Sequence, residues 1–256
     1  MSNDRNCKPI ARALAAVLAL SISVHAAAAD LVVSAASSLT NAFTDIAREF
    51  ENRYRGTKVL VNFGGSGQLL QQIAKGAPVD IFASADQETM DKAQANGLLE
   101  AGTRADFVSN ALVLVVPKDS TVSVASLADL AKKELQRVAI GNPDSVPVGR
   151  YSKSALVAAG LWGAVEQKAI STQNVRQSLD YVARGEVDAA FVYRTDAAVV
   201  ADKVRIALVV PTTEPILYPV AIVKGSGTKP GARQFAGFLR SDAAQKVMEK
   251  YGFGKP

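Results

Sequence analysis

The chain of 256 residues has a net charge of +5 and contains one histidine, His25, and one cysteine, Cys7. Both lie in an N-terminal segment that we expect to be removed. The remaining chain then has no imidazole and no thiol, which excludes most nucleophilic, general-base and transition-metal chemistry. Basic residues are interspersed with acids and form no basic stripe, which argues against nucleic acid as a partner.

The N-terminal segment has the composition of a secretory signal peptide. Basic residues precede an apolar run over residues 13–24, and a string of alanines ends at Ala29. The run is shorter than the roughly 20 residues that a membrane span needs. We therefore predict a signal peptide over residues 1–29, cleaved after Ala26 or Ala29, and a periplasmic protein. An uncleaved anchor is the alternative.

In chain order, the hydrophobic pattern predicts alternating strands and helices. Strand segments are short apolar runs, whereas helical segments repeat apolar residues every three or four positions. The predicted strands are 31–36, 58–63, 79–84, 111–117, 137–141, 189–193, 204–210 and 218–223. The predicted helices begin near Leu39 and Gln87 or lie at 68–75, within 122–134, and at 149–159, 175–185 and 232–251. This alternation indicates parallel sheets with right-handed crossovers.

The pattern restarts after the apolar segment at 111–117, which indicates two α/β units. No linker rich in proline, glycine or serine separates them, so we predict two lobes joined by two strands. The predicted boundaries place residues 30–112 and 212–256 in lobe I and residues 113–211 in lobe II.

Small polar turns follow three successive strands of the first unit, and each turn opens a helix. Ser37 and Ser38 follow the first strand, the glycine-rich turn at 64–67 the second, and Ala85 and Asp86 the third. Ligands of parallel sheets bind at the carboxyl ends of strands, where helix N-termini offer free N–H groups and partial positive charge. The turns therefore predict a cradle for an oxygen-rich anion, although ordinary helix capping explains each turn taken alone.

The second unit offers two further donors. Val175 lies at a predicted helix start and can offer its backbone N–H, and Tyr193 ends a strand and can offer its phenol. Taken alone, each is more typical of a structural residue. Arg150, Arg176 and Arg194 flank these turns, and each is equally consistent with an oxyanion clamp and with a structural or solvated role.

Catalytic motifs are absent from the sequence. The glycine-rich turn does not end in the Gly-Lys-Ser/Thr of a Walker A loop, and no Gly-x-Ser-x-Gly elbow has a histidine partner. Acidic residues do not have calcium-loop spacing. Lys153, between Ser152 and Ser154, forms the only local Ser–Lys cluster and is typical of a solvated helix face. We therefore predict that the protein is not an enzyme and needs no cofactor.

Seven segments after the leader occur in a fixed order: SAASSLTNAF, NFGGSGQLLQQIAKGAPVDIFASAD, SNALVLVVPK, IGNPDSVPVGRY, NVRQSLDYVARGEVDAAFVY, YPVAIV and YGF. In this order they resemble periplasmic molybdate-binding proteins, which capture the substrate of molybdate ABC transporters. The resemblance covers essentially the whole chain after the leader. It implies the type II periplasmic-binding-protein fold, with two α/β lobes that are each a mostly parallel sheet flanked by helices and are hinged by two strands.

The resemblance also implies a site for a tetrahedral oxyanion in the cleft between the lobes, with molybdenum bound only as molybdate. The implied donors are the hydroxyls of Ser38 and Ser66, the backbone N–H groups of Ala85 and Val175, and the phenol of Tyr193. Ser37 is the alternative to Ser38. Some relatives carry more serines in the glycine-rich turn, where Ser66 is the only hydroxyl of this chain.

The function implied by the resemblance is capture of molybdate, or equally tungstate, by a monomer that delivers the anion to a membrane permease. Molybdate is a fully deprotonated dianion, so a site made only of donors fits it. A protonated phosphate would leave its O–H unmatched, at a cost of roughly 1–3 kcal/mol. The alternatives are a receptor for another oxyanion such as sulfate, and a ligand sensor that is not a transport component.

Overall fold

The computed structural model describes residues 30–226 and 228–256. The predicted signal peptide lies outside the described residues. In the part of the chain that is described, no helix is both long enough and apolar enough to cross a membrane.

Strands and helices alternate along much of the described chain, as the hydrophobic pattern predicts. The strands are β1 (Leu31–Ala36), β2 (Val59–Gly64), β3 (Ile81–Ala83), β4 (Ala105–Asn110), β5 (Leu112–Pro117), β6 (Val138–Gly141), β7 (Ala169–Thr172), β8 (Ala189–Tyr193), β9 (Val204–Val209) and β10 (Ile216–Ile222). The α-helices are α1 (Thr40–Arg53), α2 (Ser66–Ala74), α3 (Gln87–Ala95), α4 (Pro147–Ala158), α5 (Trp162–Glu166), α6 (Val175–Ala183), α7 (Arg194–Val199), α8 (Lys229–Phe238) and α9 (Asp242–Lys250). Short 3-10 helices span Ser37–Leu39 and Leu127–Ala131.

The strands form two five-stranded sheets with the same arrangement, β2-β1-β3-β10-β4 and β7-β6-β8-β5-β9. In the first sheet, β1 pairs in parallel with β2 and β3, whereas β10 is antiparallel to both β3 and β4. In the second sheet, β6 is parallel to β7 and β8, whereas β5 is antiparallel to β8 and β9. Each sheet therefore has one reversed strand among four that share a direction, which confirms the predicted two-lobed α/β fold.

Each sheet, together with the helices packed on it, forms one lobe. Lobe I contains β1–β4, β10, α1–α3, α8 and α9, and lobe II contains β5–β9 and α4–α7. The chain passes from lobe I to lobe II at Ala111 and returns between β9 and β10. The predicted boundaries place Leu112 in lobe I, whereas in the structure it begins β5 and pairs with Tyr193.

Burial follows the hydrophobic pattern of each segment. On α1, Phe43, Ile46 and Phe50 recur at helical spacing and are fully buried. The Phe50 ring meets the Phe235 ring of α8 edge-on, with 5.0 Å between centroids. In lobe II, β5 is buried over Leu112–Val116, as a continuous apolar run in the middle of a sheet requires.

Several predicted elements need correction. The predicted helix over 232–251 is two helices, because Ser241 accepts a hydrogen bond from the Ala244 amide and so begins α9. Within 122–134 the described chain forms only the 3-10 helix Leu127–Ala131. The edge strands β4 and β7 and the short helices α5 and α7 were not predicted from the sequence.

Candidate anion-binding site

All five residues singled out from the sequence line one cavity between the lobes. It is lined by Ala36, Ser37, Ser38, Gly64, Gly65, Ser66, Ala85, Val146, Pro147, Val148, Val175 and Tyr193. None of the five predicted side chains exposes more than 3% of its surface. None of the residues lining this cavity is charged.

Ser38 lies in the short 3-10 helix after β1, and its hydroxyl is part of a chain of hydrogen bonds. Its Oγ lies 3.0 Å from the Tyr218 Oη. The Tyr218 Oη accepts a hydrogen bond from the Asn110 Nδ2 at 3.3 Å. Asn110 ends β4, next to the first crossing between the lobes. With Asn110 donating to it, Tyr218 can donate its own hydrogen to Ser38, and the Ser38 hydrogen remains available for another acceptor.

Ser66 begins α2, directly after the extended residue Gly65. The Ala85 N–H donates to the Ser66 Oγ at 3.1 Å, and both residues are buried. This bond uses the amide that the resemblance assigns to the anion. It also occupies a lone pair of the Ser66 oxygen, so the Ser66 hydrogen is left for a further acceptor.

Tyr193 and Val175 bring donors from lobe II. The Tyr193 Oη donates to the Ala85 carbonyl across the cleft at 3.4 Å, and its ring meets the Tyr218 ring edge-on. Burial raises the pKa of both phenols well above the ordinary tyrosine value, so both remain protonated donors at neutral pH. Val175 is the first residue of α6, and the cap residue Asn174 accepts from the Gln177 amide, which leaves the Val175 amide uncapped.

The start of α4 also lines the cavity, and the sequence reasoning missed it. The helix begins at Pro147, two residues before the predicted start. Proline has no N–H, so the first amide available at this N-terminus is that of Val148, which lines the cavity and is buried. A proline in the first position of a helix is a known start signal and would have identified this donor from the sequence.

The flanking arginines differ in their surroundings. The Arg176 Nε lies 2.7 Å from the Asp196 Oδ1, and its Nη2 reaches the Ser38 carbonyl across the cleft at 3.5 Å. Burial raises the pKa of Asp196 to about 6, although the Arg176 charge acts to lower it. Arg150 forms an ion pair with Asp86, and Arg194 is exposed. Two of the three arginines are therefore held in structural contacts beside the cavity.

The glycine-rich turn lets the lobes approach closely. The Gly67 N–H donates to the Ser145 carbonyl of lobe II at 2.9 Å. A Cβ at Gly65 would lie 2.6 Å from the Gln173 carbonyl oxygen, and one at Gly67 would lie 2.5 Å from the Ser145 carbonyl oxygen. Both distances are too short for a side chain, so glycine is required where backbone meets backbone across the cleft.

The arrangement offers hydrogen-bond donors from both lobes. Buried hydroxyls and helix N-termini from both lobes face one cavity, which is the chemistry of an anion site. Over residues 30–226 and 228–256, no cluster of three His, Cys, Asp or Glu side chains could hold a metal ion.

The chain is similar to known solute-binding proteins. The sequence profile of the family described as "Bacterial extracellular solute-binding protein" matches residues 31–254. YvgL of Bacillus subtilis, which is named as an ABC transporter substrate-binding lipoprotein, is 40% identical over 87% of this chain and 85% of its own. The molybdate-binding protein ModA of Haemophilus influenzae is 36% identical over 89% of this chain and 91% of its own. The structure of the periplasmic molybdate-binding protein of Azotobacter vinelandii, 24% identical, superposes with a TM-score of 0.76 over 88% of this chain and 99% of that one.

Proposed function

Because the chain belongs to the family of bacterial extracellular solute-binding proteins, we propose that it captures molybdate between its lobes and delivers it to the permease of an ABC transporter. Membership of this family makes it a binding component of a transporter and not an enzyme. The observation that carries the choice of ligand is the uncharged cavity, in which hydroxyls and helix N-termini from both lobes converge.

A donor-only site suits a fully deprotonated dianion. Burying such an ion is unfavourable unless fixed dipoles replace the water it loses, and hydroxyls and helix N-termini supply those dipoles. A ligand that carries a proton, such as monohydrogen phosphate, needs an acceptor, and none of the residues lining the cavity has a carboxylate. Tungstate has nearly the same size and charge as molybdate and is proposed as a second ligand.

The proposed contacts come from four predicted residues directly and from the fifth through a neighbour. Ser38 and Ser66 donate from their hydroxyls and Val175 from its backbone. Tyr193 donates its phenol to the anion in place of its 3.4 Å bond to the Ala85 carbonyl. Ala85 acts through its bond to the Ser66 Oγ, which orients that hydroxyl. The Val148 amide is the additional backbone donor that the structure suggests.

Delivery requires the site to open and close. We propose that lobe I moves relative to lobe II. The two crossings of the chain between the sheets act as the hinge. Closure brings the lobe II donors to an anion already held by lobe I. We further propose that the protein acts as a monomer in the periplasm, after removal of residues 1–29.

Calorimetric titration of the purified, ligand-stripped protein tests the proposal. We expect one molybdate bound per chain, comparable binding of tungstate, much weaker binding of sulfate because it is smaller, and no heat with phosphate at the same pH. If the protein binds another oxyanion tightly and does not bind molybdate, its role as an oxyanion receptor stands and molybdate as its ligand is refuted. Normal uptake of molybdate after deletion of the protein would instead favour a sensor.

A further inference from the structure

Arg150 of α4 connects lobe II to the start of α3 in lobe I. Its Nη2 and Nε lie 2.6 and 2.8 Å from the Asp86 Oδ2. The Nη2 also donates to the Thr89 Oγ1 at 2.6 Å, while the Nη1 donates to the Pro143 carbonyl of its own lobe at 3.1 Å. One guanidinium is therefore anchored in lobe II and bound by two side chains of lobe I.

The contact between Arg150 and Asp86, named here the interlobe ion pair, is shielded from water. The Arg150 side chain is 14% exposed and the Asp86 side chain 4% exposed. Removing one partner of a pair this well shielded is strongly unfavourable, because it leaves the other charge buried and uncompensated. Glu88 lies farther from the guanidinium, at 3.5 Å, and is itself half exposed.

Asp86 also lies next to the anion site. It directly follows Ala85, which lines the cavity, and it caps α3 by accepting from the Thr89 amide. Its Oδ1 accepts a further hydrogen bond from the Ser84 hydroxyl. When the lobes separate, Asp86 keeps its lobe I partners and loses Arg150. Without that partner, the Asp86 carboxylate repels a dianion bound one residue away.

We propose that Arg150 is a positioning residue for anion capture, because its guanidinium binds the lobes together and neutralises Asp86 in the closed form. The positive charge of Arg150 lies beside the anion site only in the closed form. Closure and anion binding therefore strengthen each other. The energetic part of this inference rests on the proposed function, since it requires an anionic ligand. The structural part, stabilisation of the closed form, does not.

Three variants separate this role from a structural one. We expect Arg150→Met to weaken molybdate binding about tenfold or more, chiefly through faster dissociation. Asp86→Asn keeps the α3 cap, because asparagine caps as well as aspartate. Combining Asp86→Asn with Arg150→Met removes the unpaired carboxylate. The double variant should therefore bind molybdate more tightly than Arg150→Met alone. Arg150→Lys should be intermediate, since lysine restores the charge without the forked geometry.

The matched control is Arg104→Met. Arg104 forms an ion pair of the same length, 2.6 Å, with Asp91, and both residues belong to lobe I. Its removal should leave molybdate binding unchanged within about twofold, since exposed pairs contribute little. Equal losses in the Arg104 and Arg150 variants would overturn the proposal, as would a double variant no better than Arg150→Met.

A measurement without ligand tests closure directly. Spin labels on Glu49→Cys and Ser154→Cys, exposed positions in opposite lobes, report the distance between lobes in a Cys7→Ser background. We expect Arg150→Met to shift the ligand-free distribution toward longer distances than the parent, and identical distributions would overturn the proposal. If the parent protein binds no molybdate, the proposed function fails, whereas this distance comparison still decides the role of Arg150.

Discussion

Gly67 is the position where a single methyl group should prevent full closure. A Cβ there would lie 2.5 Å from the Ser145 carbonyl oxygen and 2.9 Å from the Ser145 Cα, and both are backbone atoms that cannot rotate away. Ordinary contact begins at 3.4 Å, so Gly67→Ala requires the two segments to separate by about 0.9 Å (3.4 − 2.5). The same shift would stretch the 2.9 Å bond from the Gly67 amide to the Ser145 carbonyl beyond hydrogen-bonding range.

The magnitude follows from these two losses. Forced overpacking costs about 1–3 kcal/mol, and loss of the hydrogen bond about 1 kcal/mol. The open form avoids both losses, so they reduce the free energy of closure and hence of binding. Their sum of about 2–4 kcal/mol corresponds to roughly 30- to 800-fold weaker molybdate binding. Since the strain exists only when the lobes meet, the thermal stability of the ligand-free protein should change little.

The assay is calorimetric titration with molybdate, paired with thermal unfolding of the ligand-free protein. Gly237→Ala is the control, because a Cβ at that position of α8 meets nothing within 4 Å. The control should bind molybdate as the parent does and be slightly more stable, as alanine is the better helix former. Unchanged molybdate affinity for Gly67→Ala would refute the view that backbone contact at this turn limits closure.

Three further predictions concern the site and its surroundings. Ser38→Ala and Tyr193→Phe should each weaken molybdate binding by about 1–3 kcal/mol without unfolding the protein, and normal titrations for both would refute the site. Tyr218→Phe should weaken binding less, by about 1 kcal/mol, because it removes a bond that orients Ser38 and no contact with the anion. The raised pKa of Asp196, from 3.8 to about 6, means that the folded state binds this proton more tightly than the unfolded state does. The free energy of unfolding should therefore fall by up to about 3 kcal/mol as the pH rises from about 4 to 6. Chemical denaturation across this range should show that fall in the parent and a flatter profile in Asp196→Asn.

The parts of the site that depend on local chemistry could be predicted from the sequence. β1 and β8 have the predicted bounds, because each is a short, mostly apolar run followed directly by a polar residue, Ser37 after β1 and Arg194 after β8. Asp86 caps α3 as expected, accepting from the Thr89 amide. The three turns of lobe I lie side by side because parallel strands end at the same edge of a sheet.

The contacts that connect distant segments could not be predicted. Tyr218 reaches Ser38 from 180 positions away, and Arg150 reaches Asp86 from 64 positions away. Nothing in the local pattern around either residue indicates its partner, since these pairings depend on how the chain crosses between the sheets. Ser241, which divides the last predicted helix, carries a local cap signal, but the apolar periodicity on both sides of it is continuous.

The reversed strand of the first sheet has a consequence for the order in which the chain folds. β3 pairs with β10 through Ala83 and Val220, about 137 positions apart (220 − 83), whereas all strands of the second sheet lie between Leu112 and Val209. During synthesis from the N-terminus, lobe II can complete its sheet while β3 is still an open edge and β4 has no partner. Such edges invite pairing with other chains. The first segments to emerge are thus the last to gain their full set of neighbours, and the nascent chain is most prone to aggregation until its final fifth has been made.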